Sequence, residues 1–175
     1  MHPRRFSPLL LVLLLFPLML HAAPYRHEAL GVLLSVPDGW RAKVAAEGGL
    51  RVLPPKLEDR ERSGVAVRVW RERLRGSAGL ERLASRYRKA QGAREAAINT
   101  RLDRKAGRLV LEYREGEYVQ SGLWILRQHL RVVQQDGKQA VIAECMANAS
   151  EYHRYRRAFA ELCLGMTVRP LSSKG

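Results

Sequence analysis

His27, His129, His153, Cys145 and Cys163 are the side chains beyond the N-terminal apolar stretch with the most obvious capacity for chemistry. An imidazole near neutral pH is a general base or a metal ligand, and a cysteine beside one becomes a nucleophile. Their spacing supports neither role. The chain has no HxxxH, no CxxC and no cluster of carboxylates at metal-ligand spacing. It also lacks a G-x-S-x-G elbow, a phosphate-cradling P-loop and a G-x-G-x-x-G turn. Glu115 and Glu117 come nearest to a carboxylate pair, but two acids flanking Gly116 in a turn-like stretch read as solvated. The expectation is a chain with no catalytic residue, no bound metal and no cofactor, and not an enzyme.

The elements that position these residues centre on 123–168. Leu123–Gln134 and Gln139–Cys145 are β-branched, apolar runs around Asp136-Gly137, the strongest short hairpin signal. A two-residue type I′ loop at Asp136-Gly137 pairs Gln135 with Lys138. It then sets Val132 against Val141, Leu130 against Ala143 and Gln128 against Cys145 on one face. The other face sets Val133 against Ala140, Arg131 against Ile142 and His129 against Glu144. A slip of one residue would destroy that sorting. A helix follows, with Asn148 and Glu151 as a capping box and Tyr152, Tyr155, Phe159, Leu162 and Cys163 as a helical stripe that reads as core. Gly165 ends it, and Met166-Thr167-Val168 can add a last strand.

In this register Cys145 and His129 project from opposite faces, so they form no nucleophile pair. Cys145 and Cys163 both lie on apolar faces that should meet, and an even count in an exported chain suggests a disulfide. A helix running straight back along the strand would carry Cys163 beyond the roughly 7 Å of Cα separation that a disulfide allows. A steep crossing angle or a longer connection would bring it within reach. The residues leave both outcomes open.

The first 22 residues do not belong to the fold. Arg4 and Arg5 form a basic start, Leu9–Leu20 an apolar run, and His21-Ala22-Ala23 the small residues of a cleavage site. Cutting after Ala22 releases the chain into the periplasm. The apolar run is short for a bilayer span and carries Pro17, so a retained anchor is the weaker reading. Nothing else could cross a membrane. The 175 residues carry 31 Lys and Arg against 17 Asp and Glu, a formal charge of +14. That balance fits anionic partners such as envelope headgroups, or an Arg-biased proteome without any such role. The arginines are scattered rather than interleaved with stacking aromatics, and export argues against nucleic acid.

Taken in order, Ala29–Val36 reads as a strand stopped by Pro37-Asp38-Gly39, and Trp40 as a core anchor. Leu50–Leu53 and Gly64–Arg73 are further strands, with Leu57–Ser63 an exposed loop between them. Ser77 can cap a helix over Ala78–Gln91, ended by Gly92, with Leu80, Leu83, Ala84 and Tyr87 buried. Glu95–Leu102 and Arg108–Tyr113 are strands. Gly116–Gly122 is a loop or ragged pairing, and residues 170–175 a frayed tail. Strands in a run between two helices predict an α+β fold: a mostly antiparallel sheet covered by two amphipathic helices, one domain over 25–169.

The segment Gly31–Val36 followed by Val36-Pro37-Asp38-Gly39-Trp40, an apolar strand and then Val-Pro-x-Gly-Trp, resembles the opening of a known fold family. The long hairpin, the closing helix Tyr152–Leu164 and the last strand Met166–Val168 resemble its end. The family includes the PsbP extrinsic subunit of photosystem II, a Ran-binding nuclear import factor and many bacterial domains. The resemblance implies an α/β/α-like sandwich and a non-enzymatic domain that works by binding proteins. The resulting expectation is a non-catalytic periplasmic domain whose partner is another protein. Two other roles fit the same sequence: an immunity protein against a secreted type VI toxin, or a basic adaptor on anionic envelope surfaces. The residues expected at a binding face are Trp70 and Trp124 with Arg82, Arg86, Arg154 and Arg157, because Trp and Arg dominate interface energetics.

Overall fold

Among the described residues, alternating apolar residues build ten strands, all paired antiparallel. The computed structural model describes residues 23–74, 78–119 and 121–169. The leader, the tail and Ser77 with its expected cap lie outside the described residues. A small sheet joins β1 (Ala23–His27), β2 (Val32–Val36) and β10 (Thr167–Val168), with β2 in the middle. The large sheet runs β3 (Arg41–Val44), β4 (Leu50–Leu53), β5 (Ala66–Arg73), β9 (Gln139–Asn148), β8 (Trp124–Asp136), β7 (Arg108–Tyr118), β6 (Asn99–Asp103). Helices α1 (Leu57–Glu61), α2 (Gly79–Tyr87) and α3 (Tyr152–Phe159, continued by a π-helical turn Ala160–Leu164) complete the fold. The expected α+β class, antiparallel sheet and two covering helices are present.

The period-2 alternation of the strands sorts the core into two layers. On one face of the large sheet Val67, Val69, Val132, Ala143 and Cys145 pack against α3 and the small sheet. On the other, Leu109, Leu111, Tyr113, Val133 and Ile142 pack against Leu80, Ala84 and Tyr87 of α2. Trp40 is half-buried against the first layer. Arg71 ties the layers together, its Nε and Nη2 donating to the Leu30 carbonyl at 3.0 and 2.8 Å while Nη1 reaches Asp136 at 2.7 Å.

Several expectations need correction. The β8–β9 hairpin pairs Asp136 with Gln139, Val132 with Ala143, Leu130 with Cys145, Arg131 with Glu144 and His129 with Met146. The two-residue loop is thus Gly137-Lys138 rather than Asp136-Gly137. A shift of two residues keeps every side chain on its own face, so apolar sorting cannot detect it. The turn decides. Only Gly137 of the loop has positive φ, +61°, as in a type II′ turn. A type I′ loop one position earlier would force Asp136 into the left-handed region. The shifted register also sets Arg131 directly opposite Glu144.

The capping box is absent. Asn148 ends β9, and its amide donates to the Arg62 carbonyl at 2.8 Å, while α3 starts after Glu151 without a side-chain cap. Residues 57–61, expected as loop, form the exposed helix α1, with Glu58 and Asp59 in its first turn and Arg60 in its last, matching the helix dipole. Helix α2 stops at Tyr87, well before Gly92, and strand β3 was not anticipated.

Cys145 and Cys163 form a disulfide with a Cα separation of 6.4 Å. The closing helix and its π-helical turn therefore bring Cys163 back within reach of β9. The π-helical turn, where the Gly165 N–H donates to the Ala160 carbonyl five residues back, keeps both Leu162 and Cys163 inward.

Candidate functional site

Under α2, the sheet carries a polar network inside an apolar layer. Glu144 of β9 is buried, and its Oε1 accepts from Tyr113 Oη at 2.8 Å and from Arg131 Nε and Nη2 at 2.9 and 2.6 Å. Arg131 Nη1 donates to Tyr87 Oη of α2 at 2.6 Å. His129 stacks on Tyr113 with centroids 4.6 Å apart, and its Nδ1 lies 3.4 Å from Glu144 without an aligned hydrogen bond. Burial alone would raise the Glu144 pKa. The approach of His129, the Arg131 charge and the Tyr113 hydroxyl outweigh it and hold the carboxyl at about 2. Burial, then the Glu144 charge, pushes the Tyr113 hydroxyl well above the ordinary phenol range. Glu144, Arg131, Tyr113 and Tyr87 bond to one another, which fixes β7, β8, β9 and α2 together.

Beside the network a cleft of about 560 Å³ opens between α2 and the sheet. Its walls hold Arg73, Arg82, Arg86, Arg94 and Arg131, with Leu83 and Ile142 as apolar floor. A neighbouring recess of about 460 Å³ exposes the other side of Arg131 next to Trp70, Arg51 and Arg68. Of the residues expected at a binding face, the structure therefore brings Arg82 and Arg86 together in the cleft and sets Trp70, half-buried, behind Arg131 at 5.9 Å from its ring.

Arg154 and Arg157 belong elsewhere. They stand on α3, across the sheet from α2, and pair with Glu151 and Glu161 one turn away. Those pairs blunt the basic character of that surface. The six expected residues do not form one patch. Arg94 and Arg131, the guanidiniums nearest the buried network, escaped the sequence reading: nothing in a chain so rich in arginine marks two of them.

Trp124 starts β8 directly opposite Tyr118 of β7, with ring centroids 4.8 Å apart. Tyr118, Leu123 and Trp124 are 74%, 64% and 52% exposed at this end of the ribbon. The indole lies on Gly116, where an added Cβ would stand 2.0 Å from Trp124 Cζ2. Gly116→Ala is expected to expel the indole, shifting tryptophan emission to the red at a stability cost of about 1 kcal/mol. The same substitution in a Trp124→Phe background should leave emission unchanged; an equal shift there would refute the contact.

Among the described residues, no group of three or more His, Cys, Asp or Glu could hold a metal, and no helix is long and apolar enough to cross a membrane. No family model matches the chain, and no curated protein matches it in sequence. Solved structures do match. The Ran-binding protein Mog1p of Saccharomyces cerevisiae superposes with a TM-score of 0.61 at 10% identity, over 86% of this chain and 96% of that one. Cyanobacterial PsbP from Synechocystis gives 0.55 at 12% identity, over 86% and 94%. The fold is the PsbP/Mog1p type. LpqN of Mycobacterium tuberculosis, involved in cell envelope biogenesis, gives 0.50 at 14% identity, over 85% and 90%. On this PsbP/Mog1p-type frame the arginine cleft lies on the α2 face, and the aromatic tip at one end of β7 and β8.

Proposed function

We propose that this chain is a non-catalytic domain, exported to the periplasm, that binds another protein through the Tyr118–Leu123–Trp124 tip. The observation that carries this reading is the tip itself. Three large apolar side chains stand more than half exposed at one end of the β7–β8 ribbon. Exposed Trp and Tyr grouped this way are the side chains that anchor protein interfaces. Mog1p, on the same fold, is a Ran-binding protein. The disulfide favours an oxidising compartment, in agreement with the leader read from residues 1–22. Buried Glu144 is bound by Arg131 and Tyr113, a structural arrangement that supports a role without catalysis. No cofactor and no nucleic acid enters this reading.

The test is site-specific photocrosslinking in cells that export the chain through its own leader. A photoreactive residue at position 118 should give a discrete protein adduct whose chain begins at Ala23. The same residue at position 157, across the sheet, should give none. No adduct at position 118, or matching adducts from both positions, would end the proposal.

A further inference from the structure

Arg94 is buried, 6% exposed, yet no carboxylate lies within ion-pair distance of it among the described residues. Its Nη2 donates to the Arg86 carbonyl at 3.1 Å and to Gln91 Oε1 at 3.4 Å, and its Nη1 to the Glu95 carbonyl at 3.4 Å. The guanidinium lies over the Tyr87 ring, 4.1 Å from the centroid. Neutral carbonyls, the C-terminal end of α2 and a π face offset only part of a buried charge. Buried charges in folded proteins are normally paired.

The same guanidinium lines the cleft of about 560 Å³, within the range of small-molecule sites. Arg73, Arg86, Arg94 and Arg131 face that cleft or its back wall, as does Arg82, which has a partner of its own. Against them stand Glu72 on the rim and Glu144, whose charge is spent on Arg131. The wall carries a surplus of positive charge, and the fold holds one of its cations without an ionic partner. A planar guanidinium matches phosphate oxygens in a bidentate fork.

We propose that the cleft between α2 and the sheet is a binding site for a phosphate-bearing ligand, with Arg94 as its fixed cation and Arg86 as an arm at the mouth. The Arg94 charge is set by the fold, so the ligand meets one donor group already in place. The mouth arginine is exposed and orders when the anion arrives. Leu74, Leu83 and Ile142 line the same space and take an apolar portion of the ligand. Soluble phosphate compounds and phospholipid headgroups share this chemistry. The site is separate from the aromatic tip, so it stands or falls independently of the protein-binding proposal.

The experiment uses the mature full chain with two probes: inorganic pyrophosphate by calorimetric titration, and co-sedimentation with vesicles of phosphatidylglycerol and phosphatidylcholine. Saturable binding to at least one probe is expected, weakened about tenfold by Arg86→Ser and by Arg94→Met. Arg157→Ser, on the far face, should leave it unchanged. Binding to pyrophosphate alone assigns a soluble phosphate compound, and vesicle capture sensitive to both variants assigns a headgroup. Arg94→Met should also melt no lower than the parent without ligand, since it removes an uncompensated buried charge and keeps packing on Tyr87. Arg86→Ser, at an exposed position, carries the test if Arg94→Met does not fold. Failure of both probes to bind, or equal weakening by Arg157→Ser, overturns the proposal.

Discussion

Glu144→Leu is expected to destabilise the fold by about 3 to 5 kcal/mol, the cost of leaving one half of a buried ion pair without its partner. Glu144 accepts from both Arg131 and Tyr113, and the Arg131 side chain is 22% exposed, which sets the expectation at the lower end of that range. Adding Arg131→Met removes the orphaned cation, and the double variant should recover part of the loss. It will not recover all of it, because Tyr113 and Tyr87 each lose a hydrogen-bond partner at about 1 kcal/mol apiece. Urea unfolding of parent, single and double variants checks this. A double variant no more stable than Glu144→Leu would show that burial of the charge is not the main cost.

The same carboxyl makes stability depend on pH. Its folded-state pKa of about 2 lies below the ordinary 4.5, so its contribution is fully present above about pH 4.5 and is lost as pH falls toward 2. The gap corresponds to roughly 3 kcal/mol. The stability difference between the parent and Glu144→Gln should therefore shrink steadily from about pH 5 to about pH 2. A difference constant across that window would place the carboxyl outside the acid response.

Removing the Cys145–Cys163 crosslink should cost about 3 kcal/mol, the loop-closure value for a separation of 18 residues. Both sulfurs are fully buried, so the paired alanine variant also loses some packing. The informative comparison is unfolding with and without reductant. The parent midpoint should drop under reductant while that of Cys145→Ala/Cys163→Ala stays put. Two titratable thiols per denatured parent chain, without reductant, would show that the crosslink does not form.

What could be read from the residues alone follows the physics of each signal. Strand faces and both buried helix stripes were legible, since a period of 2 or 3.6 is written directly into residue types, as in Val67 and Val69 or Tyr152, Tyr155 and Phe159. Register was legible only modulo two: pairing Arg131 with Ile142 instead of Glu144 left every face correct and concealed the ion pair. Local caps misled, because the Asn148 side chain serves the Arg62 carbonyl from a strand end, a contact spanning 86 residues. The cleft was half legible: Arg82 and Arg86 share one side of an evident helix. Arg94 lies in a turn with no periodic pattern, and only the tertiary fold carries it over Tyr87.

The small sheet has a practical corollary. Strand β2 receives β1 on one edge and β10 on the other, so the first and last described strands lie side by side across a single strand. That sheet covers the α3 face of the molecule. A label fixed on β1 or β10 therefore sits on the side away from the arginine-lined opening. Immobilised through that small sheet, the molecule presents the opening to solution.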